Sequence, residues 1–234
     1  MHLFYEPYLK NKNFLNPQES FHCCKVLRLG KEDKILITDG RGSLYKALLE
    51  DVNSSKCKFK TLQKNFIEKP KNNLHIVIGL PKSIKRTKWF IEKATEIGVF
   101  TITPVIFKRS ERKKINCERL KKIAINAMKQ SHQTYLPEIN PIMNFADLIT
   151  LKNEELKFIA YKDENNPHFY STLHEEKNAT ILIGPEGDFA NAETKLAIDN
   201  GFKPVSLGNN TLRIETAGIV ACQIFNLKNQ LQKI

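Results

Sequence analysis

The sequence predicts two domains of different class: a small β-rich barrel with one helix, then an α/β domain on a mainly parallel sheet. Three observations carry this. Short strand patterns cluster before residue 70, and strand and helix patterns alternate from Leu74 onward. Between them Lys69-Pro70-Lys71-Asn72-Asn73 is polar and contains a proline, which sets the domains as 1–70 and 73–234.

In the first domain the pattern between Phe14 and Leu29 is helical. Lys34–Asp39 is a strand ending in the turn signal Asp39-Gly40-Arg41-Gly42. Leu44–Val52 and Lys56–Phe66 follow as strands, the second alternating at Cys57, Phe59 and Thr61. In the second domain Leu74–Leu80 is nearly all apolar, as in a strand buried on both faces. Ser83–Ile97 reads as a helix stopped by Gly98. Thr101–Phe107 is a strand, and Asn116 can cap a helix whose apolar stripe is Leu120, Ile123, Ala124, Ala127 and Met128. Strands are expected at Leu156–Tyr161, Thr180–Ile183 and Lys203–Leu207, and helices at Asn191–Asn200 and Glu215–Gln232.

The 234 residues carry 37 Lys+Arg against 25 Asp+Glu, and the excess is uneven. Residues 1–72 hold 14 basic and 8 acidic side chains, residues 73–150 hold 14 and 6, and residues 151–234 hold 9 and 11. A basic excess confined to the first two thirds points to a polyanion, most often nucleic acid; a solvated lysine-rich face is the competing reading. No apolar run approaches the ~18 residues of a membrane span, and the first residues lack the apolar stretch of a secretory signal. The five cysteines form no C-x-x-C pair and the six histidines no H-E-x-x-H, so reduced thiols in a cytoplasmic protein and no metal site are expected.

Two loops can carry chemistry. Ile183-Gly184-Pro185-Glu186-Gly187-Asp188-Phe189 follows a buried strand and precedes a helix, where α/β folds place ligands. It matches neither a P-loop nor G-x-G-x-x-G, and a tight structural turn would also account for it. Leu207-Gly208-Asn209-Asn210-Thr211-Leu212-Arg213 has the same form, and Ile214-Glu215-Thr216-Ala217-Gly218 opens the last helix. On adjacent parallel strands the two loops would enclose one pocket. Glu215 also suits the positive end of the helix dipole. A third, basic region joins Lys82, Lys85, Arg86, Lys88 and Lys93 to Lys108-Arg109-Ser110 and Arg112-Lys113-Lys114. Cations at strand ends and helix starts can contact phosphates.

These residues resemble the bacterial 16S ribosomal RNA (uracil-N3) methyltransferase family, within the SPOUT class of knotted methyltransferases. The resemblance covers nearly the whole chain. It rests on His22 with Val26-Leu27-Arg28, Leu80-Pro81-Lys82, Glu92-Lys93-Ala94-Thr95-Glu96-Ile97-Gly98-Val99, Lys108-Arg109-Ser110, Gln130-Ser131, Gly184-Pro185-Glu186-Gly187, Leu207-Gly208, Leu212-Arg213 and Glu215-Thr216-Ala217. The chain departs from the family pattern at Asp188, where a second glycine is usual, at Lys129, where an acidic residue is common, and at Gln133, where a basic one is.

The resemblance implies a PUA-like RNA-binding barrel and a SPOUT domain with a deep trefoil knot, acting as a cytoplasmic homodimer on 16S rRNA of the small ribosomal subunit. The cofactor would be S-adenosylmethionine, held near Ile183, Gly184, Pro185, Glu186, Gly187, Leu207, Gly208, Leu212, Thr216 and Ala217. Arg213 would stabilise charge during methylation of uracil N3, with Glu215 as base or orienter. Arg28, Lys82, Lys88, Arg109, Ser110 and Gln130 would contact rRNA. The competing readings are a non-catalytic rRNA-binding assembly factor that retains the fold, and a knotted methyltransferase acting on another RNA.

Overall fold

A computed structural model describes residues 1–150, 156–174 and 177–230. The chain divides into two compact units, Met1–Lys69 with Ile125–Leu136, and Pro70–Ala124 with Pro137–Ile234. The sequence marks a single break, at residues 69–73; the return of 125–136 to the first unit has no local signal. Helical periodicity runs unbroken through that point, and what changes is only the set of neighbours.

The first unit comprises β1 (Leu3–Tyr5), α1 (Pro17–Phe21), β2 (Lys34–Thr38), β3 (Ser43–Asp51) and β4 (Lys58–Phe66). The sheet order is β1-β2-β3-β4, with β1 parallel to β2 and the other pairs antiparallel. α1 starts where the Asn16 side chain accepts from Glu19 N–H and Pro17 takes the first helical position. It runs into a wider π-type turn, His22–Val26, so the expected helical stretch is shorter and irregular. Along β3 the strand period buries Tyr45, Ala47 and Leu49, which pack with Phe4, Leu15, Ile35, Ile37 and Phe59. The β2–β3 turn is held by Asp39, which accepts from Arg41 N–H at 2.8 Å and from the Ser43 hydroxyl at 2.7 Å. From the 125–136 segment, Thr134 accepts from Gly42 N–H and Leu136 N–H donates to Gly40 O.

The second unit contains β5 (Leu74–Gly79), α2 (Ile84–Ile97), β6 (Thr101–Ile106), the start of α3 (Cys117–Gln130), β7 (Glu138–Ile139), β8 (Met143–Asn144) and α4 (Phe145–Ile149). It continues with β9 (Leu156–Ala160), α5 (Phe169–Thr172), β10 (Ala179–Ile183), α6 (Asn191–Asp199), β11 (Lys203–Val205) and α7 (Ile214–Gln230). The sheet order is β11-β9-β10-β5-β6-β7, with β8 also on β6, and every pair is parallel. β10 is buried at all five positions, as a strand covered on both faces must be. Gly98 ends α2 with φ 98° and donates to Ala94 O and Thr95 O, while Asn116 accepts from Arg119 N–H to start α3. The last helix was expected to reach Gln232; residues 231–234 lie outside the described ones.

α7 lies against α2 and β5. Gly218 makes this approach possible: a methyl group there would lie 2.5 Å from Phe90 Cε2 and 3.2 Å from Ile78 Cδ1. All five cysteines are free thiols. Burial pushes Cys222 up to about 12, and burial with neighbouring Cys57 does the same for Cys23, so both are unreactive near neutral pH.

Candidate active site

β9, β10 and β11 end together: Ile183 pairs in register with Ala160 and with Ile78, and Val205 with Ala160. The loops leaving these carboxyl ends enclose a cavity of ≈ 390 Å³. Its walls are Ala160–Lys162 after β9, Ile183–Glu186 with Asp188 after β10, and Ser206–Gly208 with Asn210–Ile214 after β11. Ala217 of α7 and Arg86 of α2 complete them. This is the position at which open parallel sheets take ligands.

Of the residues singled out in sequence, Ile183, Gly184, Pro185, Glu186, Leu207, Gly208, Leu212, Arg213 and Ala217 come together on this wall. Gly187, Glu215 and Thr216 are not on it. Gly187 faces away: a methyl group there would meet Arg109 Cβ at 3.4 Å, an ordinary contact. The more tightly packed glycine of this loop is instead Gly184, where a methyl group would lie 3.0 Å from the Phe189 ring. Glu215 is buried, with Oε1 3.6 Å from Arg86 Nε and Oε2 without a hydrogen-bond partner among the described residues.

The loop after β10 is braced from several sides. Asp188 N–H donates to Pro185 O at 2.9 Å, closing a turn. The Pro185 backbone sits where a side chain at Gly79 of β5 would be, 2.9 Å from it. Arg109, three residues past β6, donates from Nη1 to Gly187 O at 2.8 Å and to Phe189 O at 3.3 Å. Next to it Lys108 N–H donates to Glu193 Oε1 at 2.7 Å. Phe189 packs edge-on against Phe107, with ring centroids 5.1 Å apart.

Asp188 adopts φ 61°, the left-handed region, and its Oδ1 accepts from Phe189 N–H at 2.8 Å. A glycine meets that conformation without strain, and aspartate is among the few other residues that tolerate it. Asp188→Gly should therefore be close to neutral in stability, whereas Asp188→Val should cost about 1–2 kcal/mol. Thermal unfolding of the two variants checks this, and equal losses would show that the conformation is not what selects the residue.

The expected RNA contacts divide. Arg28 (φ 54°) and Gln130 are exposed, and Lys88 is half-buried. Lys82 is exposed and pairs with Glu111 at 2.9 Å. Ser110 is buried, and its hydroxyl accepts from Phe107 N–H at 2.9 Å, so it closes its own turn rather than presenting a surface contact. Arg109 braces the β10 loop, as described, because its guanidinium reaches the carbonyls flanking Asp188.

Sequence reasoning missed Arg86, Tyr161, Lys162 and Ser206 as parts of the cavity wall. Arg86 read as one more cation on a basic helix. Tyr161 and Lys162 gain their position from strand order: β9 lies between β10 and β11, which no spacing in the chain reveals. Among the described residues no group of three or more His, Cys, Asp or Glu side chains is arranged to hold a metal ion.

The fold and cavity thus define a parallel α/β domain with a cavity at the carboxyl ends of three neighbouring strands. Residues 68–226 match the model of the RNA methyltransferase domain, and residues 15–62 that of the RNA methyltransferase PUA domain. The ribosomal RNA small subunit methyltransferase E of Buchnera aphidicola is 31% identical over 215 residues, 89% of this chain and 85% of that one. Its counterpart from Rickettsia conorii is 32% identical over 202 residues, 84% and 81% of the two chains. The crystal structure of a probable rRNA-methyltransferase from Porphyromonas gingivalis superposes with a TM-score of 0.91 at 36% identity, covering 99% of this chain and 100% of that one. The ribosomal RNA small subunit methyltransferase E of Neisseria gonorrhoeae, solved with S-adenosyl methionine bound, superposes with a TM-score of 0.86 at 25% identity over 98% of both chains. The chain belongs to this RNA methyltransferase family, that of the ribosomal RNA small subunit methyltransferases E. The resemblance read from its motifs is borne out.

Proposed function

We propose that this protein transfers a methyl group from S-adenosylmethionine to N3 of a uridine in 16S rRNA of the small ribosomal subunit. The observation that carries the reading is the cavity itself, built from the loops after β9, β10 and β11 within a family that includes a member solved with this cofactor.

The residues present fit that cofactor. The cavity volume, ≈ 390 Å³, falls in the range of small-molecule sites. Ile183, Leu207, Leu212, Ile214 and Ala217 offer apolar walls for an adenosine. Gly208, at φ 128° with open space around its α-carbon, leaves its backbone open to close approach. Lys162 and Arg213 supply cations for a carboxylate. When bound, S-adenosylmethionine supplies a methyl group on a positively charged sulfur.

The acceptor nitrogen carries a weakly acidic proton that leaves as the new bond forms, so negative charge grows on the flanking carbonyl oxygens. Arg213 lines the cavity, and among the described residues its guanidinium has no partner, so its donors are available to that charge. Glu215, off the cavity wall, is better placed to orient than to take the proton itself. Arg28, Lys82, Lys88 and Gln130 are the surface contacts proposed for rRNA. The active form proposed is a cytoplasmic homodimer with a knotted second unit.

Mass spectrometry of 16S rRNA nucleosides tests the reading. A deletion strain should lack one N3-methyluridine, and the restored gene should return it. Unchanged nucleosides together with tight rRNA binding would favour the assembly-factor reading. A missing methyl group on another RNA would move the substrate.

A further inference from the structure

We infer that Arg86 is a positioning residue for this reaction, tying Glu186 in the loop after β10 to Glu215 in the first turn of α7 and so fixing the spacing of two walls of the cavity. The inference rests on the cofactor reading above, because those walls are the ones assigned to the cofactor.

Arg86 is held on a rigid support. It lies in the first turn of α2, and one turn later Phe90 is buried against Gly218 of α7. From there Nη1 donates to Glu186 Oε1 at 3.0 Å, and Nε lies 3.6 Å from Glu215 Oε1. A guanidinium is planar and permanently charged, so both carboxylates are referred to one rigid plane.

Burial makes the Glu215 end of the bridge obligatory. Its side chain is 8% exposed, and among the described residues Oε2 has no hydrogen-bond partner. A buried carboxylate is costly unless a cation counters it, and the ion pair found for Glu215 among the described residues is with Arg86. Glu215 is absent from the cavity wall and Arg86 is on it, so Glu215 reaches the cavity through Arg86. This gives Glu215 an orienting task, carried to the cavity wall by the α2 guanidinium. The Glu186 end is half-exposed and sits on the turn closed by Asp188 and Pro185, so the bridge holds a second point of the turn that Arg109 braces at Gly187.

Arg86→Lys keeps the charge but loses the fork, Glu186→Gln and Glu215→Gln keep the shapes, and the two double variants pair each with Arg86→Lys. Calorimetric titration with S-adenosylmethionine should show Arg86→Lys binding about tenfold more weakly, and Arg86→Lys/Glu186→Gln no more weakly than the worse single variant. Single-turnover rates should show the same lack of multiplication for Arg86→Lys/Glu215→Gln. Losses that multiply would make Glu215 an independent group and overturn the inference. So would an unfolding midpoint that falls while cofactor affinity and rate stay at the wild-type level. If the wild type itself bound no S-adenosylmethionine, the cofactor reading would fail. The same cycles read by urea denaturation without ligand still report the bridge, and additive losses there would remove it.

Discussion

Arg213→Ala is expected to lower kcat by about 10²–10³, the scale for losing one electrostatic stabiliser of a developing charge. Arg213 borders the cavity at the junction of the β11 loop and α7, and Ala217 N–H donates to its carbonyl at 2.8 Å, so its backbone is fixed by the helix start. Its side chain is exposed and lines the cavity, with no internal pair among the described residues. If the guanidinium answers charge that appears only as the methyl moves, its effect belongs to the transition state, and KM for RNA should change little. Arg213→Lys should recover part of the loss, since an ammonium lacks the two-pronged geometry. Single-turnover kinetics at saturating RNA decide the matter. An unchanged chemical step with a raised KM would turn Arg213 into a phosphate grip.

Lys129→Met is expected to destabilise the protein by about 3 kcal/mol near neutral pH, because it strands a buried carboxylate. Lys129 Nζ lies 2.7 Å from Glu19 Oε1, with side-chain exposures of 12% and 5%, and among the described residues Glu19 Oε2 has no hydrogen-bond partner. Burial pushes the Glu19 carboxyl above its ordinary value, and Lys129 counters that rise. A carboxyl raised in the folded state contributes stability that is full below the ordinary carboxylate range and is lost as pH rises through the raised value. Without Lys129 the value climbs further. The gap between variant and wild type should therefore be widest at neutral pH and close on acidification. Glu19→Gln in the Lys129→Met background should restore most of the loss. Urea denaturation across that pH range reads both effects, and a gap independent of pH would place the cost elsewhere than in the Glu19 charge.

Periodicity made most elements of the second unit legible. The apolar run of β5, the stripe of α3 and the Gly98 stop are local signals, and local signals survive into structure because they reflect burial and capping directly. β1, β7 and β8 were not legible. Two or three residues carry no period, and those strands exist because a neighbour offers free hydrogen bonds. The site divides the same way. Gly184 to Glu186 and Leu207 to Arg213 stand out as loops following strands, but Arg86 and Tyr161 join them only through strand order and helix packing. Asp188 shows the opposite case: an anomaly in the motif at a backbone position of positive φ, which explains the usual glycine and which aspartate tolerates.

The assignment of 125–136 to the first unit limits how this chain can be inherited or cut. A gene fragment ending at the polar break near residue 70 encodes Glu19 without its cation, and the β2–β3 turn without the Thr134 and Leu136 backbone that bonds to it. Shuffling at that break would transplant an incomplete object, however clean the boundary looks in composition. The two units can be exchanged between relatives only if the later segment travels with the earlier one, so they are bound to evolve as a pair.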